Sequence, residues 1–112
     1  MPLTRDVGLF GTGTRTRVLL LLALLGESHI SEIARILGAN ITNIGKAVDS
    51  LELAGVVSGV MMGRTRRISF NPRYAYLEEL LPLARKMATT NPALMEALAN
   101  ERRRPRRSGK EL

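Results

Sequence analysis

The sequence predicts a mainly α-helical domain that carries one small β-hairpin. Apolar residues recur every three or four positions through the first half of the chain and again after residue 76, which is the period of a helix. Between residues 56 and 70 they alternate instead, which is the period of a strand. Glycines and two Asn-Pro pairs separate these segments, and the length of 112 residues fits one domain.

The N-terminal part is predicted to be an arm followed by a buried helix. Residues 1–13 contain three glycines and no clear period, so we expect a flexible arm. The run GLFGTGTR is weakly similar to a phosphate-binding loop, but no strand precedes it and the Lys-Ser/Thr of such loops is missing, so we interpret it as a plain loop. Thr14–Leu25 form a helix that is apolar on nearly every side, which implies burial. Thr12 or Thr14 caps this helix and Gly26 ends it.

Two further helices follow, separated only by a tight connection. Ser31 is the predicted cap of the second helix, which is about two turns long and ends at Gly38. Asn40 is the natural cap of the third helix, which ends at Gly55. The third helix has an apolar face, formed by Ile44, Ala47, Val48, Leu51 and Ala54. Its mildly polar face comprises Thr42, Asn43, Lys46, Asp49, Ser50 and Leu53.

A β-hairpin is predicted next, because VVSGVMM and RRISF are strand-like and MGRT has the character of a turn between them. Val57, Ile68 and Phe70 are the expected inward positions. Three arginines crowd the tip of the hairpin and the start of its return strand, namely Arg64, Arg66 and Arg67.

The C-terminal part is predicted to contain two helices and a disordered tail. Each helix begins at an Asn-Pro pair, in which Asn is the cap and Pro occupies the first helical position, and the two cover Pro72–Ala88 and Pro92–Arg102. Pro82 predicts a kink after Leu81. The apolar stripe of the first helix comprises Leu77, Leu80, Leu81, Ala84 and Met87. Residues 101–112 hold six basic and two acidic residues, a net +4, and are expected to be disordered.

This order of elements is that of a winged helix-turn-helix domain in residues 14–71, with additional helices in residues 72–100. Such a domain can read DNA because an α-helix fits the major groove and meets the donors and acceptors on base edges. An Arg-rich hairpin, the wing, then reaches the adjacent backbone or minor groove. Small neutral residues on the third helix suit base reading, while the stronger charge lies on the wing and the tail.

The same stretch resembles the winged helix-turn-helix of ArsR-like prokaryotic transcriptional regulators. The resemblance covers about Leu9–Asn71 and rests on SEIARILGANITNIGKAVDSLELAGVV, on MMGRTRRISFN, and on LFGTGTRTRVLLLLALL as the first helix. It implies DNA contacts from Asn40, Ile41, Thr42, Asn43, Gly45, Lys46, Arg64, Arg66 and Arg67. It also implies a homodimer formed through the terminal helices. The stripe Leu77, Leu80, Leu81, Ala84 and Met87 fits such an interface, unless that helix packs over its own domain.

Three positions of the third helix leave alternatives open. Ile41 either completes the edge of the core or meets a thymine methyl group. Gly45 removes a side chain where the backbone approaches either DNA or the second helix, at a cost of roughly 1 kcal/mol relative to Ala. Asp49 places a negative charge on the polar face, so only the first two turns are expected to enter the groove.

Composition excludes several classes of protein and favours one class of partner. The chain has no Cys and a single His, His29, so disulfides and the Cys/His metal sensing of many ArsR-like members are not expected. A net charge of +7 favours nucleic acid as partner. The run VLLLLALL is far shorter than the roughly 20 residues that span a bilayer, and no small-residue cleavage pattern follows it. We therefore expect a cytoplasmic, nucleoid-associated protein.

The resulting prediction is a homodimeric transcriptional regulator that binds specific double-stranded DNA sequences without a cofactor or metal. Catalysis is not expected, because the sequence shows no nucleophile–base pair and no paired carboxylates at a useful spacing. One alternative is a winged helix used for protein interaction within a larger assembly. Another is a weakly specific architectural DNA-binding protein that depends on its basic tail, a tail that otherwise only confers solubility.

Overall fold

The computed structural model describes residues 8–103, and within this range the chain is mainly helical with one small sheet. The elements, in chain order, are α1 (Gly13–Leu25), β1 (Glu27–His29), α2 (Ile30–Leu37), α3 (Ile41–Leu53), β2 (Val57–Met62), β3 (Thr65–Phe70), α4 (Leu77–Thr89) and α5 (Pro92–Arg103). The predicted fold class, a winged helix-turn-helix with additional C-terminal helices, is confirmed. The predictions of a flexible arm and of a disordered tail fall largely outside the described residues.

α1 is the central helix of the hydrophobic core. Its cap is Thr12, whose hydroxyl accepts a hydrogen bond from the N–H of Arg15 at 3.0 Å, and Gly26 ends it with a φ of 85°, a conformation that favours glycine. Residues 18–23 are at most 5% exposed, because α3 and α4 both pack against this helix. The apolar character on every side of α1 therefore reflects burial within one chain.

The start of α2 differs from the prediction. The cap is His29 and not Ser31: the Nδ1 atom of His29 accepts a hydrogen bond from the N–H of Glu32 at 3.3 Å. The reason is that β1 runs directly into α2, so His29 is still extended (φ −137°, ψ 163°) when the helix begins. Ser31 lies within the first turn instead, with its Oγ 3.0 Å from the same Nδ1.

The sheet has three strands within the described residues, one more than predicted. β2 and β3 form the predicted hairpin, and β1 adds to the other edge of β3, which gives the antiparallel order β1-β3-β2. β1 was missed because three residues are too few to show an alternating pattern. Its middle residue, Ser28, is fully buried opposite Ile68 and donates its hydroxyl to the carboxylate of Glu32, which joins the sheet to α2.

The C-terminal region contains a second correction. α4 begins at Leu77, five residues after the predicted start at Pro72. Asn71 does not cap a helix, because its Nδ2 atom donates to the carbonyl of Gly55 at 2.9 Å and its Oδ1 accepts from the N–H of Arg73 at 3.0 Å. It therefore closes a turn that is tied to the end of α3. The second Asn-Pro pair does behave as predicted: Asn91 caps α5 by accepting from the N–H of Leu94 at 3.1 Å.

The apolar stripe of α4 faces its own domain. Leu80 is 8% exposed and Ala84 is fully buried, because α4 packs on α1. Leu77, Leu81 and Met87 are half-buried. Two members of the predicted stripe are therefore buried within the single chain, and the role of the stripe as a dimer interface stays a prediction. A different side chain of α4, Leu83, is 47% exposed.

α5 is anchored to the helix-turn-helix by an ion pair. The guanidinium of Arg35 on α2 lies 2.7 Å from the carboxylate of Glu101, and this hydrogen bond is the main reason that the pKa of Arg35 is raised. Residues 101–103, predicted as the start of the disordered tail, are thus the last turn of α5.

Candidate nucleic-acid interface

The turn between α2 and α3 fixes the direction of α3 through two backbone devices. Gly38 ends α2 in the left-handed conformation (φ 64°, ψ 35°), which lets the chain reverse within three residues. Asn40 then caps α3, and its Oδ1 accepts hydrogen bonds from the N–H groups of Thr42 at 2.8 Å and Asn43 at 3.1 Å. The first turn of α3 is therefore held by hydrogen bonds from within its own chain.

The first two turns of α3 present an exposed surface of small polar groups. The predicted contact residues Asn40, Ile41, Thr42, Asn43 and Lys46 are all exposed, and Gly45 is half-buried. Ile41 is 54% exposed, so the alternative that it completes the core edge is wrong. The opposite face is buried as predicted, at Ile44, Ala47, Val48 and Leu51, whereas Ala54 is exposed.

Gly45 does not make room for α2. A Cβ atom built at this position meets no other atom within 4 Å. The destabilising effect of a glycine within α3 is therefore not offset by closer packing inside the domain. The missing side chain of Gly45 matters instead at the outer surface of α3.

The wing carries three arginines in three different environments. Arg64 lies next to Gly63 (φ 66°) at the exposed tip, and its side chain has no ion pair among residues 8–103. Arg67 pairs with Glu27 of β1, with 3.4 Å between Nη1 and Oε2. Arg66 turns towards α3. The sequence grouped these residues together, but the structure separates them.

Arg66 joins the wing to the second half of α3. Its Nη1 lies 3.1 Å from the carboxylate of Asp49, and its Nη2 bonds the carboxylate of Glu52. The hydrogen bond to Glu52 is the largest cause of the raised pKa of Arg66. We refer to Arg66, Asp49 and Glu52 as the Arg66 cluster. Within it, one guanidinium faces two carboxylates, so one of the two negative charges on this side of α3 is neutralised and a net charge of −1 remains.

Both strands of the wing take part in this connection. The second carboxylate oxygen of Glu52 accepts a hydrogen bond from the N–H of Gly59 on β2 at 3.1 Å. Gly59 also provides space, because a Cβ there would lie 2.9 Å from Nε of Arg66. Arg66 precedes the inward residue Ile68 by two positions, so strand alternation places it on the face towards α3. That sequence feature could have identified it; nothing comparable identified Glu52.

On its other side, α3 borders the beginning of α1. A cleft of about 330 Å³ opens between the two helices, which we call the α1–α3 cleft; it is lined by Thr12, Thr14, Arg15, Asn43, Lys46, Ala47 and Ser50. Nη1 of Arg15 donates to Oγ of Ser50 at 2.7 Å. The lining contains two cations and no carboxylate. α3 thus has an acidic flank that is closed by the wing and a basic flank that is open.

A second, more apolar cavity of about 370 Å³ lies between α1, the end of α3 and α4. It is lined by Phe10, Arg15, Leu19, Leu51, Ala54, Val56, Tyr74, Tyr76, Glu79, Leu80 and Leu83. Several of these side chains are open to solvent, among them Tyr76 at 66% and Leu83 at 47% exposure.

Within residues 8–103 no group of three His, Asp or Glu side chains is arranged to hold a metal ion. In the same range, none of the helices has the length and apolar content needed to cross a bilayer. His29 serves as the cap of α2.

The tri-helical core, the capped α3 and the hairpin next to it define a winged helix-turn-helix domain. Solved structures share this fold. An apo variant of Lactococcus lactis ZitR has a TM-score of 0.56 and 20% identity over 89% of this chain and 73% of that one. YusO of Bacillus subtilis has a TM-score of 0.56 and 18% identity over 80% and 71%. AntR, an antimony-specific transcriptional repressor, has a TM-score of 0.54 and 17% identity over 80% and 73%. No protein-family model and no curated protein sequence matches the chain.

Proposed function

We propose that the protein is a transcriptional regulator that binds double-stranded DNA with α3 and the wing, as an ArsR-like homodimer without catalytic activity. The observation that carries this proposal is the capped, exposed first half of α3 beside an arginine-bearing hairpin. AntR, which shares the fold, is a transcriptional repressor, and this supports the same role here. The mechanism needs no metal or cofactor, and such a protein would act in the cytoplasm, at the nucleoid.

Sequence selection is assigned to the first two turns of α3. Thr42 and Asn43 can donate to and accept from base edges, and the exposed Ile41 offers an apolar contact to a thymine methyl group. Lys46 can contact guanine or a phosphate. Gly45 lets the backbone of α3 approach the groove floor, since no side chain intervenes there. Asn40 contributes through its cap, which holds this turn in place.

The wing arginines receive different roles. Arg64 at the tip is assigned to the backbone or minor groove of the adjoining DNA. Arg67 lies beside it on β3, where its pairing with Glu27 leaves it 42% exposed. Arg66 is assigned to positioning the wing, because its guanidinium is already bound by two carboxylates of α3.

The homodimer is proposed to use apolar surface that the single chain leaves open. Leu83 of α4 and Tyr76 lie at the rim of the 370 Å³ cavity, and both are well exposed. A two-fold pair of such domains would place its two α3 helices on half-sites about one helical turn apart.

The test is a titration of duplex DNA from a randomised pool, before and after selection, at two salt concentrations. We expect the selected duplexes to bind more tightly than random duplexes at both concentrations. Thr42→Ala or Asn43→Ala should relax preference at particular base pairs by about 1–3 kcal/mol, while Arg64→Ala should weaken all duplexes similarly. Equal affinity for all sequences would refute a sequence-specific regulator. If duplexes then bound only when residues 104–112 were present, the architectural role would be the better explanation.

A further inference from the structure

We propose that the DNA interface extends beyond α3 onto the first turn of α1, where Arg15 and Lys46 together bind one phosphate of the DNA backbone in the α1–α3 cleft. This inference rests on the proposed function, and it adds a helix that neither the reading-helix nor the wing assignment includes.

The lining of the cleft is suited to an anion. Arg15 and Lys46 approach it from different helices, and hydroxyl or amide groups of Thr14, Asn43 and Ser50 complete its walls. No carboxylate lines it, and within residues 8–103 no carboxylate pairs with Arg15 or Lys46. A guanidinium and an ammonium that line one pocket repel each other, and the attraction of a bound phosphate to both of them would outweigh this repulsion.

Arg15 is held in place before a ligand arrives. Its Nη1 donates to Ser50 at 2.7 Å, which leaves other N–H groups of the guanidinium for a partner. The side chain passes over Gly11, where an added Cβ would lie 2.7 Å from Cζ of Arg15. The glycine-rich run before α1 therefore has a structural explanation that the phosphate-loop comparison did not supply. Its glycine at position 11 makes room for an arginine, and the arginine makes the anion contact.

The position of the cleft indicates a backbone phosphate as its ligand. Asn43 and Lys46 belong both to the cleft and to the exposed half of α3 that is assigned to the major groove. A helix in the major groove has a phosphate backbone on each side. The wing lies on one side of α3, and the α1–α3 cleft lies on the other, where the second backbone must pass.

Thr14→Glu separates binding from folding, because it should weaken DNA binding without lowering the stability of the fold. A carboxylate in the first turn of a helix interacts favourably with the helix dipole, so the unfolding temperature should stay equal or rise. The same carboxylate in the cleft should repel the phosphate and weaken binding of selected and random duplexes by at least about tenfold. The matched control is Ala93→Glu, which adds the same charge to the exposed first turn of α5, outside the cleft.

Arg15→Gln gives a second measurement that does not depend on Thr14. The slope of log K against log salt should become less steep by about 0.9 for each half-site, whereas Arg85→Gln on exposed α4 should leave the slope as in the wild type. If Thr14→Glu and Arg15→Gln both kept the wild-type affinity and salt dependence, the inference would be overturned. The proposed function would still stand if Thr42→Ala had its expected effect. An equal loss in Ala93→Glu would also overturn it, since the effect would then be one of net charge. If the wild type bound no duplex at all, the proposed function would fail, and this inference with it.

Discussion

Glu52 offers a sharp test of how the wing is positioned, because charge and geometry predict opposite outcomes for its removal. Glu52 lies on the α3 flank that faces the wing, so replacing it with Gln removes a negative charge from the proposed DNA-binding surface. Simple electrostatics predicts tighter DNA binding. If Glu52 instead holds Arg66 and Gly59 in place, the substitution loosens the wing and binding becomes weaker.

The expected size of the effect follows from the exposure of the pair. The side chains of Arg66 and Glu52 are 30% and 37% exposed, so solvent screens the ion pair and limits its contribution to about 0.2–1 kcal/mol. The hydrogen bond from Gly59 adds about 1 kcal/mol when it is lost as well. Glu52→Gln, which retains one acceptor oxygen, should therefore destabilise the fold by about 1 kcal/mol, or roughly 4–8 °C in unfolding temperature. If DNA binds only when the wing is held against α3 by these contacts, the affinity for DNA falls by up to about tenfold.

The assay compares Glu52→Gln with Glu96→Gln, which removes the same charge from an exposed position on α5. Affinity for one selected duplex is measured at low salt, and thermal unfolding is measured in the same buffer. We expect Glu96→Gln to bind equally or more tightly and Glu52→Gln to bind more weakly. A double-mutant cycle with Arg66→Ala should then show that the two losses are not additive. Tighter binding by Glu52→Gln would refute the positioning role of the Arg66 cluster.

Three further predictions concern stability and assembly. Leu83→Glu should convert the proposed dimer to monomers in sedimentation experiments with little change in unfolding temperature, and an unchanged dimer would exclude this surface. Leu80→Glu should instead unfold the chain, because its carboxylate would be buried against α1. Asn40→Ala should cost about 1 kcal/mol of unfolding free energy through loss of the α3 cap, seen by denaturant titration, and Asn40→Asp should restore most of it. The pKa of Arg66 is raised in the folded chain, so the stability that its charge provides is complete below the unfolded pKa and is lost only as pH rises through the folded pKa. The difference in unfolding temperature between wild type and Arg66→Gln should therefore stay constant between about pH 6 and 9.

Most elements of the fold were predictable from the sequence because their determinants are local. Asn40 and Asn91 cap their helices as predicted, since the capping acceptor reaches an N–H two or three residues away. Asn71 has the same Asn-Pro context, yet its side chain bonds Gly55, sixteen residues earlier in the chain. Here a long-range contact prevailed over a local preference, and local sequence patterns do not indicate which distant partner will be near.

The same distinction separates the predicted parts of the candidate site from the missed ones. Exposure of Thr42, Asn43 and Lys46 follows from helix periodicity, and the structure places them as periodicity requires. The roles of Glu52 and Arg15 depend on which elements lie beside α3. Periodicity places Glu52 and Ser50 on different sides of α3, but it does not state that the wing covers one side and the start of α1 borders the other.

This arrangement gives α3 two unlike flanks, and the difference bears on how DNA would be oriented. On the wing flank, Arg66 neutralises only one of the two negative charges of Asp49 and Glu52, and the remaining charge repels a phosphate. We therefore expect the backbone on that side to contact Arg64 at the wing tip and not α3 itself. On the α1 flank, no carboxylate lines the cleft beside Lys46 and Arg15, so we expect the backbone to approach α3 directly there. The phosphate contacts are therefore expected to lie nearer to α3 on the α1 side than on the wing side. This difference would fix the orientation of α3 along the major groove.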